Sequence, residues 1–426
     1  MATVLDLGGQ VAEALRHYVE RNPESRRLHE ERAQFMPGGN TRSVIHVDPF
    51  PLTVVRGDGA RIVDADGHEY LDFLGEYTAG LYGHSHPAIV QAIRDALADG
   101  IVLGAPNVYE GGLAAAVCER FPSIELVRFC NSGTEANLLA LSLARVVSGK
   151  AAVMVFEGAY HGGVFFFKDG DAPLNAPFPY LVGRYNDAEA AARQITEHAH
   201  ELAAVIVEPM QGSGGVIPGE PEFLHALREA AATDVLLVFD EVMTSRLARG
   251  GLQETLGIRP DLTTLGKYVG GGLACGAFGG RADLMARFDP ARPDALAHAG
   301  TFNNAVLTMA AGLAGLTRVY TDEECARLNG LGDRLRRRLN AFATEHGLDF
   351  CATGRGSMVG LHFTRGPVRR TADSPAAPEL RTLLHLHMLD RGYSFARRGF
   401  VALSLPLTRS DVAGFAGAVE EFLAGH

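Results

Sequence analysis

Three runs in the middle of the chain, AAVMVF (151–156), AAVIVEP (203–209) and VLLVFDEV (235–242), are almost uninterrupted in apolar character and rich in β-branched residues. A strand of that kind buries both of its faces, which an antiparallel sheet with one wet face does not require. Between the last two runs, EFLHALREAAA (222–232) has a helical apolar period. CNSGTEANLLALSLARVVSGK (130–150) reads as a strand end followed by a helix from about Gly133 to Gly149. Strands alternating with helices predict an α/β fold with a large, mostly parallel sheet covered on both faces. Ligands of such sheets gather at the carboxyl ends of the strands. Asn131, Ser132, Glu157, Glu208 and Asp240 stand at those ends.

The flanks read differently. ECARLNGLGDRLRRRLNAFATEH (324–346) predicts a long helix in a C-terminal α+β lobe. LTVVRGDGARIVDADGHEYLDFL (52–74) alternates around Gly/Asp turns and predicts a hairpin or meander packed on that lobe. The expected division is a terminal segment 1–75, a large domain 76–305 and a C-terminal lobe 306–426, the two ends forming one small domain. The N-terminus has no basic-then-apolar leader pattern. It predicts an amphipathic helix with Val11, Leu15 and Tyr18 on one face. No run of about 18 apolar residues suggests a membrane span. The net charge of −11 argues against nucleic acid as a partner. The five cysteines (Cys118, Cys130, Cys275, Cys325, Cys351) form no CxxC pair, so reduced thiols in a cytoplasmic protein are expected. His84 and His86 in GHSHP lack a third ligand at a recognisable spacing, so no metal site is expected and loop or helix-capping roles are. GRGSMVG (354–360) reads as a strand start in the C-terminal lobe.

Three local features carry chemistry. Ser132, Gly133 and Thr134 open a helix, where free N–H groups and two hydroxyls form a cup suited to phosphate. A plain N-cap would use the same residue types. Asp240 ends an apolar strand, so its carboxylate needs a cation or hydrogen-bond donors, which an ordinary salt bridge or helix cap would also supply. Lys267, in LTTLGKYVGGG (262–272), follows an apolar run and precedes three glycines. A partly desolvated amine has a lowered pKa and condenses with aldehydes. Gly270, Gly271 and Gly272 are expected to make room for what approaches it; a surface lysine in a glycine loop is the alternative. A P-loop is excluded, because Asp261 and Tyr268 occupy the positions where it needs Gly and Ser/Thr. Phosphate cup, buried carboxylate and amine together suit pyridoxal phosphate, with the lysine on its aldehyde and the carboxylate on its pyridine nitrogen.

The ordered set NSGTEAN, AYHGG, VEPMQG, VFDEVMTSR, TLGKYVGGG and AGTFNN, covering the chain from about Met36 onward, resembles the class III pyridoxal-phosphate-dependent aminotransferases of fold type I. The resemblance implies a seven-stranded large sheet, and pyridoxamine phosphate as the form that carries the amine between half-reactions. It implies that Tyr160 stacks on the cofactor ring, Gln211 lies near its phenolic oxygen and Val242 packs on the opposite face. Glu208 joins the same set, and His161 helps shape the pocket. Thr301 is implied to donate to the phosphate of a partner subunit, hence a homodimer with shared active sites.

MPGGNTRSV (36–44) resembles the glutamate-1-semialdehyde aminomutase branch. Thr41-Arg42-Ser43 and Ser245-Arg246-Leu247 depart from that enzyme's usual motifs. With EYTAGLYGHS (76–85) and RRGFVALSLPLT (397–408) they more closely resemble the β-phenylalanine aminotransferase group. That resemblance implies Arg42 for the substrate carboxylate, Arg398 in the second pocket and Tyr77 beside the substrate. A β-amino acid holds its carboxylate one carbon further from the amine, and two guanidinium groups suit a dicarboxylate acceptor such as 2-oxoglutarate; pyruvate is the other acceptor considered. A 2,1-aminomutase, an α-amino acid aminotransferase and a non-catalytic binding protein of the same fold remain as alternatives. The last could dispense with Lys267, which this chain keeps.

Overall fold

The computed structural model describes residues 6–168, 170–232 and 235–426. Its largest sheet has seven strands: β4 (Leu126–Cys130), β5 (Ala152–Phe156), β6 (Tyr180–Gly183), β7 (Leu202–Val207), β10 (Leu236–Asp240), β11 (Leu262–Gly266) and β12 (Gly276–Gly280). They run in the order β4-β12-β11-β10-β7-β5-β6, and every pair is parallel except the two that β12 makes. The three apolar runs are β5, β7 and β10, with β5 and β7 buried along their whole length. The antiparallel β12, GAFGG, has a composition depleted in strands and reads as a loop in sequence. Its glycines have a packing reason: a Cβ on Gly276 would sit 2.1 Å from the Ser132 carbonyl.

The helix after β4 spans Gly133–Ser148, capped by the Ser132 side chain at its start and by left-handed Gly149 at its end. A two-stranded ribbon, β8 (Met210–Gln211) with β9 (Ile217–Pro218), follows β7.

The terminal segments meet. β1 (Val54–Asp58), β2 (Arg61–Asp64) and β3 (Glu69–Asp72) form the expected meander, and β15 (Tyr393–Ser394) adds to it in parallel beside β3. The N-terminal helix Leu7–Arg21 buries Tyr18 with Phe50, Ile62, Tyr70, Leu386 and Leu389. A three-stranded sheet, β13 (Cys351–Arg355), β14 (Met358–His362) and β16 (Phe400–Ala402), completes this side. GRGSMVG is thus the β13–β14 hairpin turn and the start of β14.

Candidate active site

The sheet brings the sequence-predicted groups together at its carboxyl edge. Gly266 of β11 pairs with Gly276 of β12, and Gly276 pairs with Cys130 of β4. Lys267 therefore emerges beside the Ser132–Gly133–Thr134 cup. On the other side Asp240 of β10 pairs with Thr264, three residues before Lys267. Val242 lies between the two, because a Cβ on Gly133 would meet its methyls at 2.9 Å.

Asp240 is buried and accepts three hydrogen bonds. Its Oδ2 accepts from Asn137 Nδ2 and His161 Nδ1, both at 2.8 Å, and its Oδ1 accepts from the Val242 N–H at 3.0 Å. Asn137 is itself held by the Thr264 hydroxyl at 2.6 Å and by the His161 carbonyl at 2.8 Å. This answers the requirement that a buried carboxylate find partners. His161 is placed by that bond; its Nε2 is buried with no partner among the described residues. Neither Asn137 nor Thr264 was expected at the site. Asn137 lies in NSGTEAN, four residues past Gly133, and so faces the sheet one turn along the helix.

Lys267 adopts φ +54. A non-glycine residue there costs roughly 1–2 kcal/mol and persists where its surroundings fix it, as at functional sites. The side chain is half-buried, and no hydrogen bond or ion pair holds its amine among the described residues. Burial lowers its pKa, opposed first by Asp240 and then by Glu76; Arg42 and Arg398 reinforce the lowering. Two of the glycines that follow serve a different purpose from the one expected, while a Cβ on Gly272 (φ +94) would meet nothing within 4 Å. A Cβ on Gly270 would meet Cys275 at 2.4 Å, and one on Gly271 (φ +68) would meet Ala311 at 2.4 Å. They pack the loop against the helix Val306–Ala314. The close approach beside Lys267 is made instead by Gly266, whose Cβ would lie 3.5 Å from the Gly133 nitrogen.

The remaining cofactor candidates sit around this edge. Tyr160 keeps 41 % of its surface exposed, packs edge-on to Phe166 and donates its backbone N–H to Glu208 Oε1 at 3.0 Å. Glu208 also accepts from the Gly212 N–H at 2.8 Å, and burial raises its pKa against the lowering effect of His161. Gln211 lies deeper: its Nε2 donates to the Glu157 carbonyl at 2.7 Å, and its Oε1 faces Gly158 and Gly214. Thr134 Oγ1 accepts from the Gly163 N–H at 3.1 Å. Thr301 is exposed, in a loop whose Asn303 meets Asn131 at 3.1 Å. His86 caps the helix Pro87–Ala98, and His84 lies 3.1 Å from Asp72. No cluster among the described residues could hold a metal ion.

Arg42, Tyr77 and Arg398 line a cavity of about 960 Å³ between the N-terminal segment and the C-terminal lobe. Arg398 also lines a second cavity of about 800 Å³ and so stands in the wall between them. Its guanidinium lies 5.0 Å over the Tyr77 ring and 5.7 Å over Phe400, and donates to Ser213 Oγ at 3.2 Å. Arg42 is paired with Glu76, a residue the sequence reading left out. Glu76, Tyr77 and Thr78 follow Gly75 in one left-handed turn, at φ +45, +51 and +82.

These residues fit pyridoxal phosphate: an unpaired, desolvated amine, a helix opening with two hydroxyls, a buried carboxylate and an open aromatic face converge on one edge. Known proteins share the fold. The aminotransferase class-III family model matches residues 43–168 and 171–385, and the chain belongs to that family. It is a pyridoxal-phosphate-dependent transaminase of fold type I.

Among its relatives is the beta-phenylalanine transaminase of Variovorax paradoxus, 53 % identical over 98 % of this chain and 96 % of that one. The solved beta-phenylalanine aminotransferase from that organism superimposes with a TM-score of 0.97, covering 99 % and 98 % of the two chains. A glutamate-1-semialdehyde 2,1-aminomutase of Sorangium cellulosum is 39 % identical over 95 % and 97 %. A transaminase solved with pyridoxal phosphate bound is 31 % identical, with a TM-score of 0.88 over 95 % and 98 %.

Proposed function

We propose that this transaminase takes the amino group of a β-amino acid, aromatic ones such as β-phenylalanine included, and passes it to a keto acid such as 2-oxoglutarate or pyruvate. The observation that carries this reading is the pair of arginines, Arg42 and Arg398, set against one turn on the wall of a large cavity. Arg42 binds the donor carboxylate. Arg398, desolvated over Tyr77 and Phe400, binds the second carboxylate of a dicarboxylate acceptor. The 53 % identical relative carries the name of this activity.

When bound, pyridoxal phosphate supplies an electron sink for charge developing at the substrate carbon. Ser132, Gly133 and Thr134 hold its phosphate, and Thr301 of a second copy completes that cup. Asp240, fixed by Asn137 and His161, keeps the pyridine nitrogen protonated. Tyr160 and Val242 confine the ring, while Glu208 and Gln211 order the segment beside it. Lys267 would hold the aldehyde carbon, and its free amine would move a proton between the substrate carbon and C4′. Its lowered pKa favours the unprotonated amine that a base must present.

A homodimer with shared sites follows from the same reading. Its support is the exposed apolar surface near Thr301 and elsewhere, including Phe302 at 62 % and Val108 at 87 %. A cytoplasmic location is supported by five free cysteines. The pairing of β15 with β3 supports one small domain built from both termini.

The test is a half-reaction. The purified holoenzyme is mixed with β-phenylalanine, β-alanine, α-alanine or glutamate, and the visible band of the bound cofactor is followed. Loss of the band with β-phenylalanine and its return on adding 2-oxoglutarate or pyruvate is expected. Loss with α-amino acids alone would overturn the substrate class. Turnover of an amino aldehyde without any keto acid would favour the aminomutase reading.

A further inference from the structure

We propose that Arg246 is a positioning residue for carboxylate recognition: its guanidinium fixes the left-handed turn that sets Glu76 against Arg42 and Tyr77 against Arg398. The proposal rests on the reading of those two arginines given above.

Arg246 is the largest fully buried side chain among the described residues, and none of their carboxylates pairs with it. An uncompensated buried charge is costly. Filling space therefore does not account for an arginine here. What the guanidinium adds is a rigid fork of donors. Nε donates to Ser357 Oγ at 3.1 Å, Nη1 to the Thr78 carbonyl at 3.4 Å and Nη2 to the Leu403 carbonyl.

These three acceptors belong to separate segments. Thr78 closes the left-handed turn. Leu403 follows β16, whose Phe400 lies beneath Arg398. Ser357 is in the β13–β14 turn. Arg246 itself lies six residues after Asp240, and its carbonyl accepts from the Tyr320 hydroxyl and from Asn329 Nδ2. One side chain thus joins the stretch bearing the cofactor's carboxylate to both walls of the substrate cavity.

The turn needs such a restraint. Three consecutive non-glycine residues at positive φ are retained only where the surroundings over-determine them. Its entry is tied by Asp72 Oδ1, which accepts from the Leu74 and Gly75 N–H groups at 2.8 and 3.0 Å. Arg246 ties its exit. The Thr78 hydroxyl is buried without a partner among the described residues and contributes no restraint of its own.

The experiment compares Arg246→Met, Arg246→Lys, Ser357→Ala and Arg42→Ala holoenzymes. Thermal midpoints, KM and kcat for β-phenylalanine, and the dissociation constant of 3-phenylpropionate, a carboxylate without an amine, are measured for each. For Arg246→Met, which leaves three buried acceptors without this donor, the midpoint falls by about a few degrees, KM and the dissociation constant rise about tenfold, and kcat at saturation stays within twofold. Arg246→Lys returns KM to within about threefold of the parent. Ser357→Ala, which removes a single oxygen and keeps the guanidinium, raises KM about threefold at unchanged kcat and keeps the test decisive should the methionine variant fail to fold. Unchanged KM in folded Arg246→Met, or in Ser357→Ala, with KM raised in Arg42→Ala, overturns the positioning role alone. A parallel fall of midpoint, kcat and affinity overturns it too, because that is the signature of a structural residue. Normal KM in Arg42→Ala overturns the carboxylate reading and this proposal with it.

Discussion

Replacing Glu76 by glutamine tests the geometry of carboxylate recognition most directly. Glu76 pairs with Arg42 while the two side chains remain 53 % and 47 % exposed. Half-exposed pairs of this kind are worth about 0.2–1 kcal/mol. A substrate carboxylate that binds Arg42 must displace Glu76, so that free energy is subtracted from binding. Removing the charge at residue 76 returns it, and binding tightens by about 1.4- to 5-fold. Glutamine keeps the size of the side chain and meets the same backbone demand at φ +45, so the turn is unchanged. The assay is the dissociation constant of 3-phenylpropionate measured at low and high salt. The gain shrinks as the Debye length falls from about 10 Å at 0.1 M. A second readout comes from Lys267, whose pKa Glu76 raises; in Glu76→Gln the alkaline side of the half-reaction profile begins at lower pH. Unchanged or weaker binding at low salt, in a background where Arg42→Ala weakens it, would refute the displacement argument.

Lys267→Met is expected to abolish turnover and the visible band of the bound cofactor. The cofactor-free proteins also differ in stability with pH. Because the folded pKa of Lys267 lies below its unfolded value of about 10.4, the unfolded state binds more protons between the two, and wild-type stability rises with pH through that window. Lys267→Met is therefore the more stable protein at neutral pH, and its advantage fades as pH approaches about 10.4; denaturant unfolding at a series of pH values checks this, and a pH-independent difference counts against it. Asp240→Asn places an amide among three donors, so single-turnover rates fall at least about 100-fold and stability falls by about 1–3 kcal/mol. Arg398→Ala leaves β-phenylalanine deamination largely intact and raises KM for 2-oxoglutarate more than for pyruvate; equal effects on the two acceptors would remove Arg398 from the second pocket. Sedimentation at micromolar concentration gives a dimer, and a monomer would end the role proposed for Thr301.

The placement of Ser132, Asp240 and Lys267 on one edge was legible in sequence because it is built from local rules. Continuous apolar runs mark β5, β7 and β10, Ser132 and Gly149 mark the two ends of one helix, and Asp240 and Lys267 fall at strand ends that the sheet then aligns. In the substrate half, Arg42, Tyr77 and Arg398 came only from a family resemblance, and the contacts that set them are tertiary. Glu76 meets Arg42 across 34 positions, and nothing in the residues Glu-Tyr-Thr announces a left-handed turn, which local propensity assigns to glycine. Gly270 and Gly271, after Lys267, show the same limit: their presence was plain, yet their reason is Ala311 and Cys275, which only the folded chain brings near. This division has a functional consequence. The groups proposed to handle the cofactor sit on the rim of a buried sheet, where displacement is costly. The groups proposed to choose the substrate sit on a strained turn and on a lobe, both hydrogen-bonded by Arg246. Substitutions around Glu76, Tyr77 and Arg398 can therefore move substrate choice while Asp240 and Lys267 keep their geometry, and a relative with the same sheet can act on a different amine.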